Sequence, residues 1–200
     1  MRSYGITPLR MFIQRLDEDV VSSRLKKFAC SRDSDREDFL HNKAVLFEKR
    51  GMARSYLAIE DGSIVGYFTL SIRCMQVPEG QPESNSLRKR MNIDPDNGVA
   101  QTFLLGQLGR ADCSCKGLGV ELLEDALSYV RRANEIVGCR VLRVDCTNDL
   151  IPYYERHGFT YIHTTEPTAT KNPINQMIQI LRLCPIYSFR HASVLVSYQL

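Results

Sequence analysis

The sequence lacks the features that mark membrane-spanning, secreted and metal-binding chains. No apolar run approaches the roughly twenty residues that a membrane span needs, and Arg2, Arg10 and Arg15 are not followed by the long apolar core of a secretory signal. The seven cysteines are odd in number and irregularly spaced, so we expect reduced thiols in a cytoplasmic protein. Cys113 and Cys115 have no second Cys/His pair at zinc-like spacing, so no metal site is expected.

The chain also carries little net charge, +3 over 200 residues with a pI near 8.5. This mildly basic balance permits a nucleic-acid partner without arguing for one. The length favours one domain with one well-filled core, and no internal repeat or low-complexity tract interrupts it. The apolar content and the charge are those of an ordinary globular protein.

Apolar periodicity predicts strands that pair by hairpin at first and alternate with helices later. Asp61-Gly62 is a strong hairpin turn between two strands, whereas Met75 to Asn97 is predicted to be a loop with one short turn. The predicted strands are Leu9–Ile13, Ser55–Ile59, Ile64–Ile72, Gly98–Leu108, Val141–Cys146, Phe159–His163 and Asn175–Leu183. One predicted helix begins near Asp17. The other predicted helices cover Asp35–Arg50, Leu118–Ala133 and Leu150–Arg156. This order predicts a mixed α/β sheet with helices packed on its faces.

The most informative stretch runs from Thr102 to Phe159. An apolar strand leads through a polar turn into Lys116, Gly117, Leu118 and Gly119, where a helix begins. The first amides of a helix have no internal partner and carry a partial positive charge, so this turn predicts an anion site for a phosphate-bearing cofactor. A second strand follows, and then the segment from Tyr153 to Phe159.

Two motifs in this stretch resemble those of the GNAT superfamily of acetyl-coenzyme A-dependent N-acetyltransferases. Ser114 to Gly119 resembles the family's pyrophosphate loop, although Ser114 stands where the family usually has Arg or Gln. Tyr153 to Phe159 resembles its signature of an aromatic residue, Tyr, three residues, Gly and Phe. The resemblance implies the GNAT fold: a mixed, mostly antiparallel sheet with helices on both faces, whose central strands, Phe103–Leu108 and Val141–Cys146, splay apart.

The resemblance also implies the site residues. Tyr154 matches the general acid, because a phenol of pKa about 10 stays protonated at neutral pH and can donate to a departing thiolate. Acetyl-CoA would be held by the backbone of Gln107, Leu108 and Gly109, by the loop and by Asn148. The loop residues in this set are Ser114, Cys115, Lys116, Gly117, Leu118 and Gly119.

The first core strand contains no Asp or Glu where many relatives carry a base. An α-amino group, with pKa about 7.7–8.0, tolerates this gap better than a lysine of about 10.4. Arg88, Lys89 and Arg90 lie on the predicted loop, where they could meet a phosphate backbone.

A finer resemblance links the chain to acetyltransferase toxins of bacterial toxin–antitoxin modules. Phe28-Ala29-Cys30 and Asp38-Phe39-Leu40 resemble a region of those toxins, which acetylate the α-amine of aminoacyl-tRNA and pair with a ribbon–helix–helix antitoxin. The expected partners are therefore aminoacyl-tRNA, such an antitoxin and, as an open question, a second copy of the chain.

Two alternatives stay open. One is a GNAT enzyme that acetylates a small-molecule amine or a protein N-terminus, and the other is a non-catalytic module that binds CoA or a protein, which Ser114 favours. The resemblance assigns residues 1–182 to the acetyltransferase domain. Residues 183–200 form a C-terminal extension that is open between an added strand, a dimer contact and a disordered end.

Overall fold

The computed structural model describes residues 3–82, 84–167 and 172–181, so the predicted extension at 183–200 lies outside the described residues. The described strands form one seven-stranded sheet in the order β1-β2-β3-β4-β5-β7-β6. Its strands are β1 (Gly5–Pro8), β2 (Arg54–Glu60), β3 (Ser63–Gln76), β4 (Val99–Arg110), β5 (Val141–Cys146), β6 (Thr160–Thr164) and β7 (Asn175–Ile180). Neighbouring strands are antiparallel except β4 and β5, which are parallel. The mixed, mostly antiparallel sheet is confirmed.

Helices connect and cover these strands. They are α1 (Leu9–Arg15), α2 (Glu18–Leu25), α3 (Ser34–Asp38), α4 (Ala44–Lys49), α5 (Asn85–Met91), α6 (Leu118–Val137) and α7 (Ile151–Arg156). A π-helical segment, Phe39–Lys43, joins α3 to α4, and a 3₁₀ turn, Asn148–Leu150, precedes α7. In the described part of the chain, none of these helices is both long and apolar enough to cross a membrane.

Helices pack on both faces of the sheet. Tyr67 and Phe68 are neighbours in β3 and point to opposite faces, because successive side chains of a strand alternate. Phe68 packs in a core with Leu122 of α6 and Tyr154 of α7. Tyr67 packs in a second core with residues of α1, α2, the π-helical segment and α4, including Leu25. The two cores fix the sheet between helical layers, as predicted.

The predicted first strand is wrong, because residues 9–15 form α1. Leu9, Phe12 and Ile13 recur at the spacing of one helical face and pack in the second core. The extended residue before them is Pro8, with φ −62° and ψ 133°. The strand β1 therefore ends where α1 begins.

The predicted loop between Met75 and Asn97 is also partly wrong. Strand β3 extends to Gln76, and α5 forms within the segment, capped by the Ser84 hydroxyl, which accepts the Leu87 amide at 3.4 Å. Met91 anchors α5 in a third apolar cluster with Met75, Val141 and Ile178. Burial against residues that are distant in sequence is what makes this short helix stable.

Candidate active site

The two central strands separate at one end. Parallel pairing of β4 with β5 ends at Leu105 and Val144, while β4 continues to Arg110 and pairs there with β3 alone. A bulge marks the separation, since Gly106 is skipped between the pairs Leu70–Leu105 and Thr69–Gln107. We call the space beside residues 106–110 the groove. The predicted splay of the central strand pair is thus present.

Backbone direction decides which amides face the groove. The Gln107 amide donates to Thr69 Oγ1 at 2.9 Å, and the Ala111 amide donates to the Val65 carbonyl at 2.8 Å, so both point toward β3. Alternate residues of a strand direct their backbone groups to opposite sides. The amides of Leu108 and Arg110 therefore face the groove. Of the three backbone positions predicted to line an acyl arm, Leu108 offers its amide there, whereas Gln107 and Gly109 turn theirs away.

The loop after β4 ends in a left-handed glycine that opens α6. Gly117 has φ 99° and stands at the N-cap position of the helix, a conformation that glycine adopts without steric cost. Among the described residues, no hydrogen-bond acceptor is found for the amides of Lys116, Gly117 and Gly119. Three free amides and the positive end of a twenty-residue helix suit a phosphate group.

Ser114, which stands where the GNAT superfamily usually has Arg or Gln, lies beside a cationic side chain. Ser114 donates its hydroxyl to the Ala111 carbonyl at 2.6 Å, and Arg110 Nη1 lies 3.4 Å from Ser114 Oγ. The guanidinium of Arg110 thus stands beside the position where the family usually carries Arg or Gln. Sequence reasoning missed Arg110 because it belongs to the strand and not to the motif; its place just before the turn was the available signal.

Tyr154 belongs to the buried cluster that also contains Leu105 and Val144, the residues at which the two central strands separate. It is 5% exposed, and its ring packs edge-on against Phe159 at 5.3 Å. Burial raises the pKa of Tyr154 to about 12, and the Arg36 charge acts in the opposite direction. No hydrogen-bond partner for its hydroxyl is found in the described parts of the chain. The phenol is therefore protonated at neutral pH and free to donate.

Gly158 explains the spacing of the second motif. It has φ 82° and ends α7, and the Phe159 amide then donates back to the Tyr154 carbonyl at 3.0 Å. This turn brings the Phe159 ring against Tyr154 and fixes the phenol. The glycine and the phenylalanine thus serve the position of the tyrosine.

Asn148 follows β5 and is held by a second amide. Asn175 Nδ2 donates to Asn148 Oδ1 at 2.8 Å and to the Cys146 carbonyl at 3.2 Å. Asn175 is 3% exposed, so it fixes the orientation of the Asn148 amide and leaves the NH₂ group of Asn148 as a donor. This geometry suits the predicted cofactor contact.

Arg88, Lys89 and Arg90 lie in α5 rather than in a loop. Arg88 turns toward the Gln81 carbonyl, while Lys89 and Arg90 are exposed. Because α5 packs near Ala100 at the start of β4, this basic run is about 20 Å of strand away from the residues that line the groove. The structure does not bring it together with Tyr154.

Another basic surface lies beside the loop. An open cleft of about 700 Å³ is lined by Arg24 of α2 and by Lys27, which follows that helix, together with Ala111, Asp112 and Cys113 at the start of the loop. The Asp112 amide donates to the Ala29 carbonyl at 2.9 Å, which ties α2 and its following residues to the loop. We call this space the basic cleft.

The comparisons with known proteins agree with this architecture. No protein-family model matches the chain. A tRNA-acetylating toxin of Mycobacterium tuberculosis is 25% identical over 150 residues, which cover 74% of this chain and 81% of the relative. Among solved structures, AtaT complexed with acetyl-methionyl-tRNA superposes with a TM-score of 0.62 at 20% identity, covering 86% of this chain and 93% of the other.

A tyrosine-to-phenylalanine mutant of KacT superposes with a TM-score of 0.65 at 20% identity, over 87% of this chain and 94% of the other. An AtaT mutant bound to the C-terminus of the antitoxin AtaR and acetyl-CoA gives a TM-score of 0.60 at 18% identity, over 87% and 92% of the two chains. This chain has the fold of the GNAT toxins. The GNAT fold predicted from its two motifs is confirmed.

Proposed function

We propose that this chain is an acetyl-CoA-dependent N-acetyltransferase that acts on the α-amine of aminoacyl-tRNA, as the toxin of a toxin–antitoxin pair. One observation carries the proposal: the central strands separate at Leu105 and Val144, which share a buried cluster with a protonated tyrosine, and a loop of free amides follows the first of these strands. The extended arm of acetyl-CoA can bind along an open strand edge. Its diphosphate can bind to free amides at a helix N-terminus. The sulfur that departs in the reaction requires an acid that protonates it. All three lie on adjoining elements.

The residues present fit acetyl-CoA, which supplies the acetyl group as a thioester when bound. The amides of Lys116, Gly117 and Gly119 would hold the pyrophosphate, with Arg110 and Ser114 beside them and the Asn148 NH₂ group as a further donor. The Leu108 amide would pair with the acyl arm as an added strand would.

Tyr154 is assigned the proton transfer. As the C–N bond forms and the C–S bond breaks, its phenol donates a proton to the sulfur and regains one from the amine, so no proton is gained or lost overall. Such a donor typically contributes about 10²–10⁴-fold to the rate.

The acceptor is assigned from charge and from the relatives. Strand β4 contains no carboxylate, which favours an amine that is already partly neutral, such as an α-amine. Arg24 and Lys27 line the basic cleft beside the loop, where they suit the phosphates of a nucleic acid. A relative that is named for acetylating tRNA, and AtaT bound to acetyl-methionyl-tRNA, support this acceptor.

The remaining assignments follow from the same function. Residues 1–182 form the acetyltransferase domain, and 183–200 form an extension. Lys89 and Arg90, which are exposed on α5, are assigned an outer contact with the tRNA, with Arg88 behind them. A ribbon–helix–helix antitoxin and a second copy of the chain are the proposed protein partners, and the cytoplasm, where aminoacyl-tRNA occurs, is the proposed location.

Mass spectrometry of charged tRNA after incubation with the protein and acetyl-CoA tests the acceptor. We expect a mass gain of one acetyl group on the amino acid, and none with Tyr154→Phe. Acetylated polyamines or peptides with unmodified tRNA would assign the chain to the small-amine or protein N-terminus alternative. Binding of acetyl-CoA without turnover of any amine would assign it to the non-catalytic alternative.

Charge reversal separates the two basic surfaces. Arg24→Glu with Lys27→Glu should raise the KM for tRNA at least about tenfold, with a steep dependence on salt. Lys89→Glu with Arg90→Glu carries the same change in charge and should weaken tRNA binding less, because it lies far from the groove. The KM for acetyl-CoA should stay unchanged in the second pair.

A further inference from the structure

A row of polar side chains crosses the sheet beside the groove. Asp145 follows Val144, the last position of β5 that pairs with β4, and so borders the groove from the side of β5. Asp145 pairs with Gln176 of β7, and Gln176 pairs in turn with His163 of β6. Residues paired across antiparallel strands project from the same face of a sheet, with Cβ atoms about 5 Å apart. These three residues, which we call the polar row, therefore lie side by side.

The polar row lies on the sheet face opposite the core that contains Tyr154. Val144 and Cys146, the neighbours of Asp145 in β5, pack in that core. Because successive side chains of a strand alternate, Asp145 points to the other face. An acyl group held between the separated strands would thus have the core with Tyr154 on one side and the polar row on the other. An amine that attacks the acyl carbonyl can approach from the side of the polar row.

Asp145 is held in place by an arginine two residues away on the same strand. Arg143 Nε and Nη2 donate to the two carboxylate oxygens of Asp145 at 2.6 Å each. The Asp145 side chain is 25% exposed, and a carboxylate offers about four acceptor positions. The ion pair therefore presents an oriented acceptor that can take a further hydrogen bond.

The other two residues of the polar row have unused hydrogen-bonding groups. His163 Nδ1 is buried, and no partner for it is found among the described residues. Gln176 is 6% exposed, and its side-chain amide has no hydrogen bond within the same part of the chain. Burial lowers the pKa of His163, and Arg143 acts in the same direction while Asp145 opposes it, so the imidazole is neutral at neutral pH. Buried polar groups are normally paired, so these two suit a polar ligand.

We propose that the polar row binds the reacting end of an aminoacyl nucleoside. The Asp145 carboxylate accepts a hydrogen bond from the α-amine, the Gln176 amide donates one to the ester carbonyl, and His163 Nδ1 bonds to the neighbouring ribose hydroxyl. The order of these three groups along the ligand matches the order of the three side chains across the strands. The inference rests on the proposed function for the identity of the acceptor. A polyamine or a lysine side chain lacks the carbonyl and the hydroxyl, so the polar row selects against both.

The test observes His163 directly, by NMR of the full chain labelled with ¹⁵N-histidine. The chain has four histidines, and comparison with His163→Phe assigns the signals of this one. The first probe is 3′-glycylamino-3′-deoxyadenosine, which keeps the amine, the carbonyl and the 2′-hydroxyl and has no ester to hydrolyse. Its N-acetylated form lacks the free amine, and spermidine lacks the carbonyl and the hydroxyl. Titrations with and without CoA involve no turnover.

We expect the glycyl probe to shift the ring signals of His163, the N-acetylated form to bind at least about tenfold more weakly, and spermidine to leave the signals in place. Gln176→Leu and Asp145→Asn should each weaken binding of the glycyl probe about tenfold, because each removes a hydrogen bond. Gln101→Leu, the same exchange at an exposed position of β4, is the matched control and should bind as the unaltered protein does. Circular dichroism verifies that each variant is folded.

His163 signals that the glycyl probe does not move, or that spermidine moves equally, overturn the inference. Unchanged binding of the probe to folded Gln176→Leu overturns it as well. Because the titration needs no acetyl transfer, a chain that binds the probe at His163 but does not acetylate tRNA contradicts the proposed function and leaves the polar row supported. Acetylation of tRNA without any response of His163 gives the opposite result.

Discussion

The hydroxyl of Tyr153 donates to the carbonyl of Gly119 at 3.1 Å, a contact between residues 34 positions apart. It ties α7, which carries Tyr154, to the first turn of α6, directly after the loop amides of Lys116 and Gly117. The two motifs found in the sequence are therefore in direct contact. Tyr153 makes a structural contact, whereas Tyr154 is the proposed acid, although the two are adjacent aromatic residues of the same helix.

This difference predicts opposite kinetic effects for two matched substitutions. Tyr154→Phe should lower kcat about 10²–10⁴-fold and leave the Kd for acetyl-CoA unchanged, because the acid is lost and the ring is kept. Tyr153→Phe should cost about 1 kcal/mol of stability through the lost hydrogen bond and weaken acetyl-CoA binding, with kcat nearly unchanged. Calorimetry and steady-state kinetics measure both quantities. Equal losses of kcat in the two variants contradict the assignment.

Arg110 supplies a second prediction, because its guanidinium stands beside Ser114, the position where the GNAT superfamily usually has Arg or Gln. A charge-assisted hydrogen bond is worth about 1.5–3 kcal/mol, so Arg110→Gln should raise the Kd for acetyl-CoA at least about tenfold. Arg73→Gln, which removes an exposed arginine from β3, is the matched control and should bind as the unaltered protein does.

Adding Ser114→Arg to Arg110→Gln should restore part of the lost affinity, because it returns a cation to the loop. Isothermal calorimetry at two salt concentrations measures it. If Arg110→Gln binds acetyl-CoA with unchanged affinity, the charge beside Ser114 has no part in holding the diphosphate.

Local signals predicted most of the fold. At Asp61-Gly62 both residues have positive φ, 47° and 78°, which is the conformation that an Asp-Gly hairpin turn needs. The buried strand Val141–Cys146 has the predicted bounds, and α6 begins at Leu118 and ends before Gly138, which has φ 74°. Each of these signals lies within the element that it defines.

Contacts between distant residues could not be predicted in this way. Helix α5 depends on burial of Met91 against Val141 and Ile178, and no pattern within residues 75–97 contains that information. The direction of the Leu108 amide depends on the bulge at Gly106. Arg110 reaches the loop from a strand outside the motifs, so only the folded chain brings its guanidinium beside Ser114.

Alanine substitution of Gly158 and of two control glycines distinguishes the cost of a left-handed backbone from the cost of a steric contact. Gly5→Ala should be nearly neutral, since nothing lies within 4 Å of an added Cβ and φ is not left-handed. Gly138→Ala has open space but φ 74°, and should cost about 1 kcal/mol. Gly158→Ala combines φ 82° with a contact of 3.0 Å to Gln179 Nε2 and should cost more, about 2 kcal/mol.

Urea unfolding of the three variants measures the order. Gly158→Ala should also lower kcat, because the turn that fixes Phe159 against Tyr154 is disturbed, whereas Gly138→Ala should not. A fully active Gly158→Ala protein would show that the turn does not fix the phenol.

The pKa of Tyr154 determines the pH profile. An ordinary phenol ionises near pH 10, but burial raises the pKa of Tyr154 to about 12, against the smaller opposing effect of Arg36. A raised pKa means that the acid stays protonated to higher pH, so kcat/KM should show no decline between pH 8 and 10. On the acid side it should rise as the acceptor α-amine, with pKa about 7.7–8.0, loses its proton.

An amide-linked analogue of the aminoacyl-tRNA 3′ end should be the acceptor in this measurement, because the natural ester hydrolyses in alkaline solution. Thioester hydrolysis without enzyme is subtracted at each pH. A decline centred near pH 10 in the unaltered protein would mean that the reacting acid is an exposed group, and the assignment of Tyr154 would then be lost.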